Sequence, residues 1–340
     1  DTVHDTIGHP ATADGEGAGL YFLDLHSGKV LWRAGADGAA ELTLSNMTRA
    51  IPNQVRVIDF NGDSYADRMY ASDLGGQIWR FDIFNGKSPN GIGADALVAG
   101  GVIAQLGAEG MSNPSDVDTR RFYNAPDISI FNDNIQNRRF LAINIGSGYR
   151  AHPLDNTNAD RFYSIRDKDV FNKLSQSDYN TYSVVKENNL VEVSGSVGAK
   201  IGSNDRGWKF TLPSDQKVLA TSTTFNNEVF FVAFSPDAAA ASSCSAGRGK
   251  NYLYRVSIVN GDPIADLDNV VDGTEDQLRV QDLAQGGIAP SPQFLFPTAD
   301  PNCTGDDCNP PPLGCIGVEC FDPGFANNPV RTLWTQDGIE

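Results

Sequence analysis

Four segments of this chain repeat one pattern, an alternating run of aromatic and aliphatic residues closed by a polar turn. They are Leu20–Gly28 (LYFLDLHSG), Ile78–Gly86 (IWRFDIFNG), Arg161–Asp167 (RFYSIRD) and Tyr252–Gly261 (YLYRVSIVNG). Alternation with a period of two reads as β-strand. Ser27-Gly28, Asn85-Gly86 and Asn260-Gly261 are hairpin signals, because glycine supplies the positive φ that tight turns need. After the first turn, Lys29-Val-Leu-Trp32 returns as a second strand. A strand unit repeated along a chain buries its apolar faces against its own copies, which favours radial repetition over a single two-layer core.

The run LDLHSGKVLW has the form of a hairpin in a quinoprotein-like propeller blade. The repeats begin about 60, 80 and 90 residues apart, longer than the ~40–50 residues of compact blades. Insertions are therefore expected at Lys87–Arg121, Asp167–Val193 and the Cys/Pro-rich stretch 300–328. Inner blade strands are expected at Phe140–Ile145, Val218–Thr224 and Val229–Phe234, with a short helix within Asp169–Tyr179. The expected fold is all-β: a modified, quinoprotein-like β-propeller with long loop insertions, of which this chain shows four to five blades. A β-sandwich with irregular loops is the alternative.

The 43 acidic and 26 basic residues give a formal charge of −17. Such a surface repels polyanions and argues against sequence-independent nucleic-acid binding. No run approaches the ~18 apolar residues of a membrane helix, and no export signal is present. The cysteines are Cys244, Cys303, Cys308, Cys315 and Cys320. The last four form two C-x4-C units in one polar loop, CTGDDC and CIGVEC, which read as local disulfides Cys303–Cys308 and Cys315–Cys320 in an oxidising compartment. A zinc site is the alternative for these four. Cys244 is left odd.

The most specific chemical signal is Asp59-Phe-Asn61-Gly-Asp63-Ser-Tyr65-Ala-Asp67. Side-chain oxygens recur at loop positions 1, 3, 5 and 9, and the Tyr65 carbonyl is available at position 7. Ca²⁺ takes six to eight oxygens, and a tightly coiled loop converges them. Ser64 stands where an EF-hand has glycine, Tyr70 stands where it has a bidentate glutamate, and both flanks read as strands. The loop is thus an EF-hand-like turn between two strands, expected to bind Ca²⁺ through Asp59, Asn61, Asp63, Tyr65 and Asp67. A metal-free Asn/Asp-rich turn is the bland alternative.

VIDFNGDSYADRMYASDLGGQIWRFDI (Val57–Ile83) resembles the calcium-loop blade of the PilC/PilY family of type IV pilus tip proteins. NIGSGYRAHPLDNTNADRFYSIRD (Asn144–Asp167) is similar to that family's G-[ST]-G block and following strand, and Gly207–Gly261 resembles a later block with a cysteine-containing loop. Pro329–Trp334 is similar to the closing strand. The resemblance implies a propeller of seven blades in full, with the first blades upstream of Asp1. It further implies an extracellular adhesin at the pilus tip or outer surface, partnered by minor pilins, that supports pilus assembly, retraction and attachment. In the family the calcium loop regulates twitching motility, so calcium is expected to order the loop and the strand carrying Trp79 and Phe81. The Arg-Gly-Asp tripeptide found in part of the family is absent.

The shared hairpin also raises a quinoprotein dehydrogenase, but the adjacent-cysteine pair such enzymes place beside their quinone does not occur. His4 and His9 read as tail, and no Gly-x-Ser-x-Gly elbow or phosphate loop is present. The chain therefore reads as a binding protein, with a carbohydrate- or matrix-binding lectin-like propeller as the alternative to a pilus-tip role.

Overall fold

A computed structural model describes residues 13–84, 97–133, 138–195, 197–236, 248–264, 279–297 and 310–324. Pro329–Trp334, His4, His9, Cys244, Cys303 and Cys308 lie outside the described residues.

The chain is all-β, and the strands among the described residues fall into five sheets that follow one another along the chain. Sheet one holds β1 (Gly19–Leu23), β2 (Val30–Gly35) and β3 (Leu42–Thr43). Sheet two is an antiparallel meander of β4 (Arg56–Ile58), β5 (Arg68–Ser72), β6 (Gln77–Ile83) and β7 (Val98–Gln105). Sheet three begins with β8 (Asp127–Asp133), β9 (Arg138–Gly146) and β10 (Arg161–Asp167). The chain then forms a five-residue helix, α1 (Gln176–Asn180), and adds β11 (Val185–Lys186) in parallel to β7. Returning to sheet three, β12 (Val191–Glu192) pairs in parallel with β13 (Gly207–Thr211), which pairs with β10. Sheet four contains β14 (Lys217–Val218), β15 (Thr223–Phe225), β16 (Glu228–Ser235), β17 (Lys250–Ser257) and β18 (Val280–Leu283). Sheet five contains β19 (Gln293–Leu295), β20 (Leu313–Ile316) and β21 (Glu319–Phe321).

Three of the four repeated segments fall on equivalent strands. β6 and β10 are each the third strand of their meanders, and β17 lies between β16 and β18. These strands are buried on both faces, and the period of two sends each face to a different neighbour. In β6, Trp79, Phe81 and Ile83 join Trp32 and Ala34 of sheet one, whereas Ile78 joins Ile143 and Ile165 of sheet three. In β10, Tyr163 and Ile165 face sheet two, and Phe162 stacks on Phe231 of sheet four at 3.9 Å between centroids. In β16, Phe230 and Val232 turn instead toward Ile316 of sheet five. Four cores thus join five successive sheets among the described residues. A two-layer sandwich, with one core between two sheets, is not what this chain forms.

Part of the expected insertion Lys87–Arg121 is instead a strand of sheet two, β7. Gly100 and Gly101 interrupt its alternation, and packing requires both to be small. A Cβ on Gly100 would sit 2.2 Å from the Phe81 ring, and one on Gly101 would sit 3.2 Å from Tyr179. The helix expected within Asp169–Tyr179 begins later, at Gln176. A capping box sets that start: Ser175 accepts the Asp178 N–H, and the Asp178 carboxylate accepts the Ser175 N–H at 2.8 Å. Val218–Thr224 is split between β14 and β15. Residues 310–324 of the Cys/Pro-rich stretch include the β20–β21 hairpin, where Cys315 and Cys320 face one another and form a disulfide. No helix among the described residues is long and apolar enough to cross a membrane.

Three buried carboxyls tie folding to pH. Burial raises Asp73 to about 7 and both Asp127 and Asp160 to about 6, although hydrogen bonds from Trp79, Thr224 and Ser147 respectively pull the other way. A carboxyl with a raised folded pKa takes up a proton on folding. Its contribution is full below the unfolded value near 4 and is lost as pH climbs through 6 to 7. The melting temperature should therefore be higher at pH 5 than at pH 7.5 in calorimetry. Asp160→Asn should flatten that dependence.

Candidate metal centre

The loop Asp59–Asp67 joins β4 to β5, and its side chains bond to its own backbone. Asp59 accepts N–H bonds from Asn61 (3.2 Å) and Gly62 (2.7 Å) on Oδ1, and from Ser64 (2.9 Å) on Oδ2. Asn61 Oδ1 accepts from the Asp63 N–H, and Asp63 Oδ1 accepts from the Tyr65 N–H, both at 2.9 Å. Asn61 Nδ2 donates to Asp63 Oδ2 at 3.0 Å. Gly62 (φ 74°) and Ser64 (φ 68°) both take the left-handed conformation. Ser64 thus makes the turn for which an EF-hand uses glycine, held there by its N–H bond to Asp59. The Tyr65 ring is exposed, and the sequence reading uses only its carbonyl.

Asp67 is held differently from the other four residues. It is buried at the base of the loop. Its N–H donates to the Ile58 carbonyl, and its own carbonyl accepts from the Ile83 N–H, each at 2.8 Å. The side chain is engaged at both oxygens: Oδ2 accepts the Phe60 N–H at 2.8 Å, and Oδ1 pairs with Lys173 Nζ at 2.7 Å. Burial alone would raise its pKa, but Lys173 and the Phe60 N–H outweigh it and hold the carboxyl below its usual value.

The donor chemistry of the loop fits a hard cation, with three carboxylates, an amide oxygen and backbone carbonyls and no nitrogen or sulfur ligand. Asp59, Asn61, Asp63, Tyr65 and Asp67 would hold Ca²⁺ there, and the ion would supply the positive charge that three aspartates on one short loop lack. Asp67 is the exception, because Lys173 already provides it with a counter-charge. Among the described residues, no three His, Cys, Asp or Glu side chains are gathered closely enough to hold a metal ion.

Behind the loop, β5 and β6 carry a fully buried charge network. Arg68 Nε donates to Asp82 at 2.6 Å, and Arg80 bonds to both Asp82 and Asp167 at 2.9 Å. Tyr70 and Tyr179 donate to Asp167 and Asp82 at 2.6 and 2.7 Å. Burial, reinforced by these carboxylates, holds both tyrosines protonated well above their usual range. Both arginines also reach the backbone that follows β10. Arg68 bonds to the carbonyls of Val170 and Asn172, and Arg80 bonds to that of Asn172. Leu174 N–H returns a bond to Asp82 at 2.9 Å. Phe60, inside the loop, packs edge-on against Phe171 and under the Arg68 guanidinium. Residues 168–174 therefore strap sheet two, with its Asp59–Asp67 loop, to the end of β10. No local sequence pattern marks Lys173, Phe171 or Asp167 as partners of this loop. The one local signal was Arg80 and Asp82, two charges on one face inside an otherwise apolar strand.

No family model matches this chain, and no curated protein matches it. Among solved structures, the C-terminal domain of Pseudomonas aeruginosa PilY1 aligns over 91% of this chain and 67% of its own, with a TM-score of 0.58 and 16% identity. The chain has the fold of that domain. At this identity the likeness carries no side chain of the loop with it.

Proposed function

We propose that this chain is the propeller region of an extracellular, calcium-binding adhesin of type IV pili, placed at the pilus tip with minor pilins. In this reading it belongs to a propeller of seven blades in full and supports pilus assembly, retraction and attachment. The observation that carries the proposal is the fold shared with the PilY1 C-terminal domain along 91% of the chain. The oxygen spacing of Asp59–Asp67 supports calcium as the ligand, and the Cys315–Cys320 disulfide agrees with an oxidising compartment.

Calcium acts here on one loop and not on the whole fold. Extracellular modules bind calcium at ~10⁻⁴–10⁻³ M, so millimolar calcium would add only about 0.5–1.5 kcal/mol to folding. Asp59→Ala should keep the β-sheet circular dichroism spectrum, abolish calcium binding and remove the calcium dependence of twitching in cells that carry the variant. Motility that responds to calcium unchanged would refute the assignment of the loop.

A carbohydrate-binding reading has one feature in its favour. A cleft of about 380 Å³ lies beside β7, β11 and β13, lined in part by Gln105, Met111, Lys186, Asn188 and Lys209. Glycan-array binding without co-purification of minor pilins would favour it.

A further inference from the structure

We propose that Lys173 is a tethered counter-ion that competes with the divalent cation for Asp67, so that filling the loop releases the strap formed by residues 168–174. The inference rests on the calcium reading above and concerns how that site is regulated. Asp67 is the one expected ligand whose carboxylate is paired with a cation from outside the loop, the Lys173 ammonium on Oδ1, while its Oδ2 accepts the Phe60 N–H. A cation seated on Oδ1 would lie close to the ammonium and repel it with little water between them, because the Asp67 side chain is only 7% exposed. Lys173 has somewhere to go, since its own side chain is 31% exposed.

Its departure has a consequence because Lys173 also donates to the Ile83 carbonyl at 2.7 Å, at the end of β6. Asn172 and Leu174 beside it are bonded to Arg80 and Asp82 of the same strand. Calcium in the β4–β5 loop would thus be felt at the junction of sheets two and three. Lysine also sets the affinity. With Asp59, Asp63 and Asp67 the loop carries three negative charges, and Lys173 removes one of them, which weakens cation binding.

The test is calorimetric titration of the 340-residue chain with CaCl₂, for the wild type, Lys173→Met and Lys173→Gln, with amide hydrogen exchange at residues 168–174 in parallel. Lys173→Gln keeps a donor for the Ile83 carbonyl and guards against a packing defect. Both variants should bind calcium about five- to tenfold more tightly than the wild type. In the wild type, saturating calcium should speed exchange at residues 172–174; in Lys173→Met, exchange should be fast already and insensitive to calcium. Binding by the variants alone would also support the proposal, with Lys173 blocking the site outright. If the wild type binds and Asp59→Ala abolishes binding, but the lysine variants bind equally or more weakly, Lys173 is not a competitor and only this inference falls. If no variant binds calcium, the calcium reading falls with it.

Discussion

Arg80→Met should lower the free energy of unfolding by about 3–5 kcal/mol in urea titrations, the range for removing one partner of a buried ion pair. Arg80 is fully buried and bonds to two carboxylates and a carbonyl. Without it, Asp82 keeps Arg68, Tyr179 and the Leu174 N–H, whereas Asp167 keeps the Tyr70 hydroxyl and a backbone N–H from Asp169. Asp167 would then be a buried carboxylate whose nearest cation is Arg68 at 3.8 Å. Arg80→Lys should fall between wild type and Arg80→Met, because an ammonium restores the charge but not the fork that reaches Asp82 and Asp167 together. A loss below about 1 kcal/mol for Arg80→Met would mean that the network is dispensable to the fold.

Phe231→Ala should cost about as much, 3–5 kcal/mol by the usual scale for a buried phenylalanine. The ring is fully buried between Phe162 of sheet three and Tyr254 of sheet four, parallel to both, at 3.9 and 4.7 Å. Truncation opens a cavity in the core joining those sheets, and the strands on either side are too firmly paired to collapse into it. Phe231→Leu should cost clearly less. Equal costs for the two would show that the sheets do not depend on this stack.

The two substitutions probe features that differed in how far the sequence revealed them. Phe162, Phe231 and Tyr254 lie in runs whose alternation marks them as strand, and the repeat put β6, β10 and β17 at comparable places in their sheets. Strands without a pattern were not legible. β7 hides behind Gly100 and Gly101, which are small because the Phe81 and Tyr179 rings occupy the space of their side chains. β11 and β12 are two residues each, too short for any period to show.

At the candidate site the spacing of Asp59, Asn61, Asp63 and Asp67 is local and readable, whereas no glycine marks the left-handed turn at Ser64. What holds Asp67 comes from Lys173, far along the chain, and no local pattern links the two. Any influence of calcium on Trp79 and Phe81 would have to pass through β6. That strand is buried along its whole length and paired on both sides.

The most direct measurement of the central claim is a crystal structure of the chain grown in millimolar calcium, with an anomalous difference map to locate the ion. The account predicts one calcium peak in the β4–β5 loop, within bonding distance of oxygens from Asp59, Asn61, Asp63, Tyr65 and Asp67, with Lys173 withdrawn from Asp67. A loop without a peak at that concentration, or a calcium ion bound elsewhere with Lys173 still paired to Asp67, would contradict it.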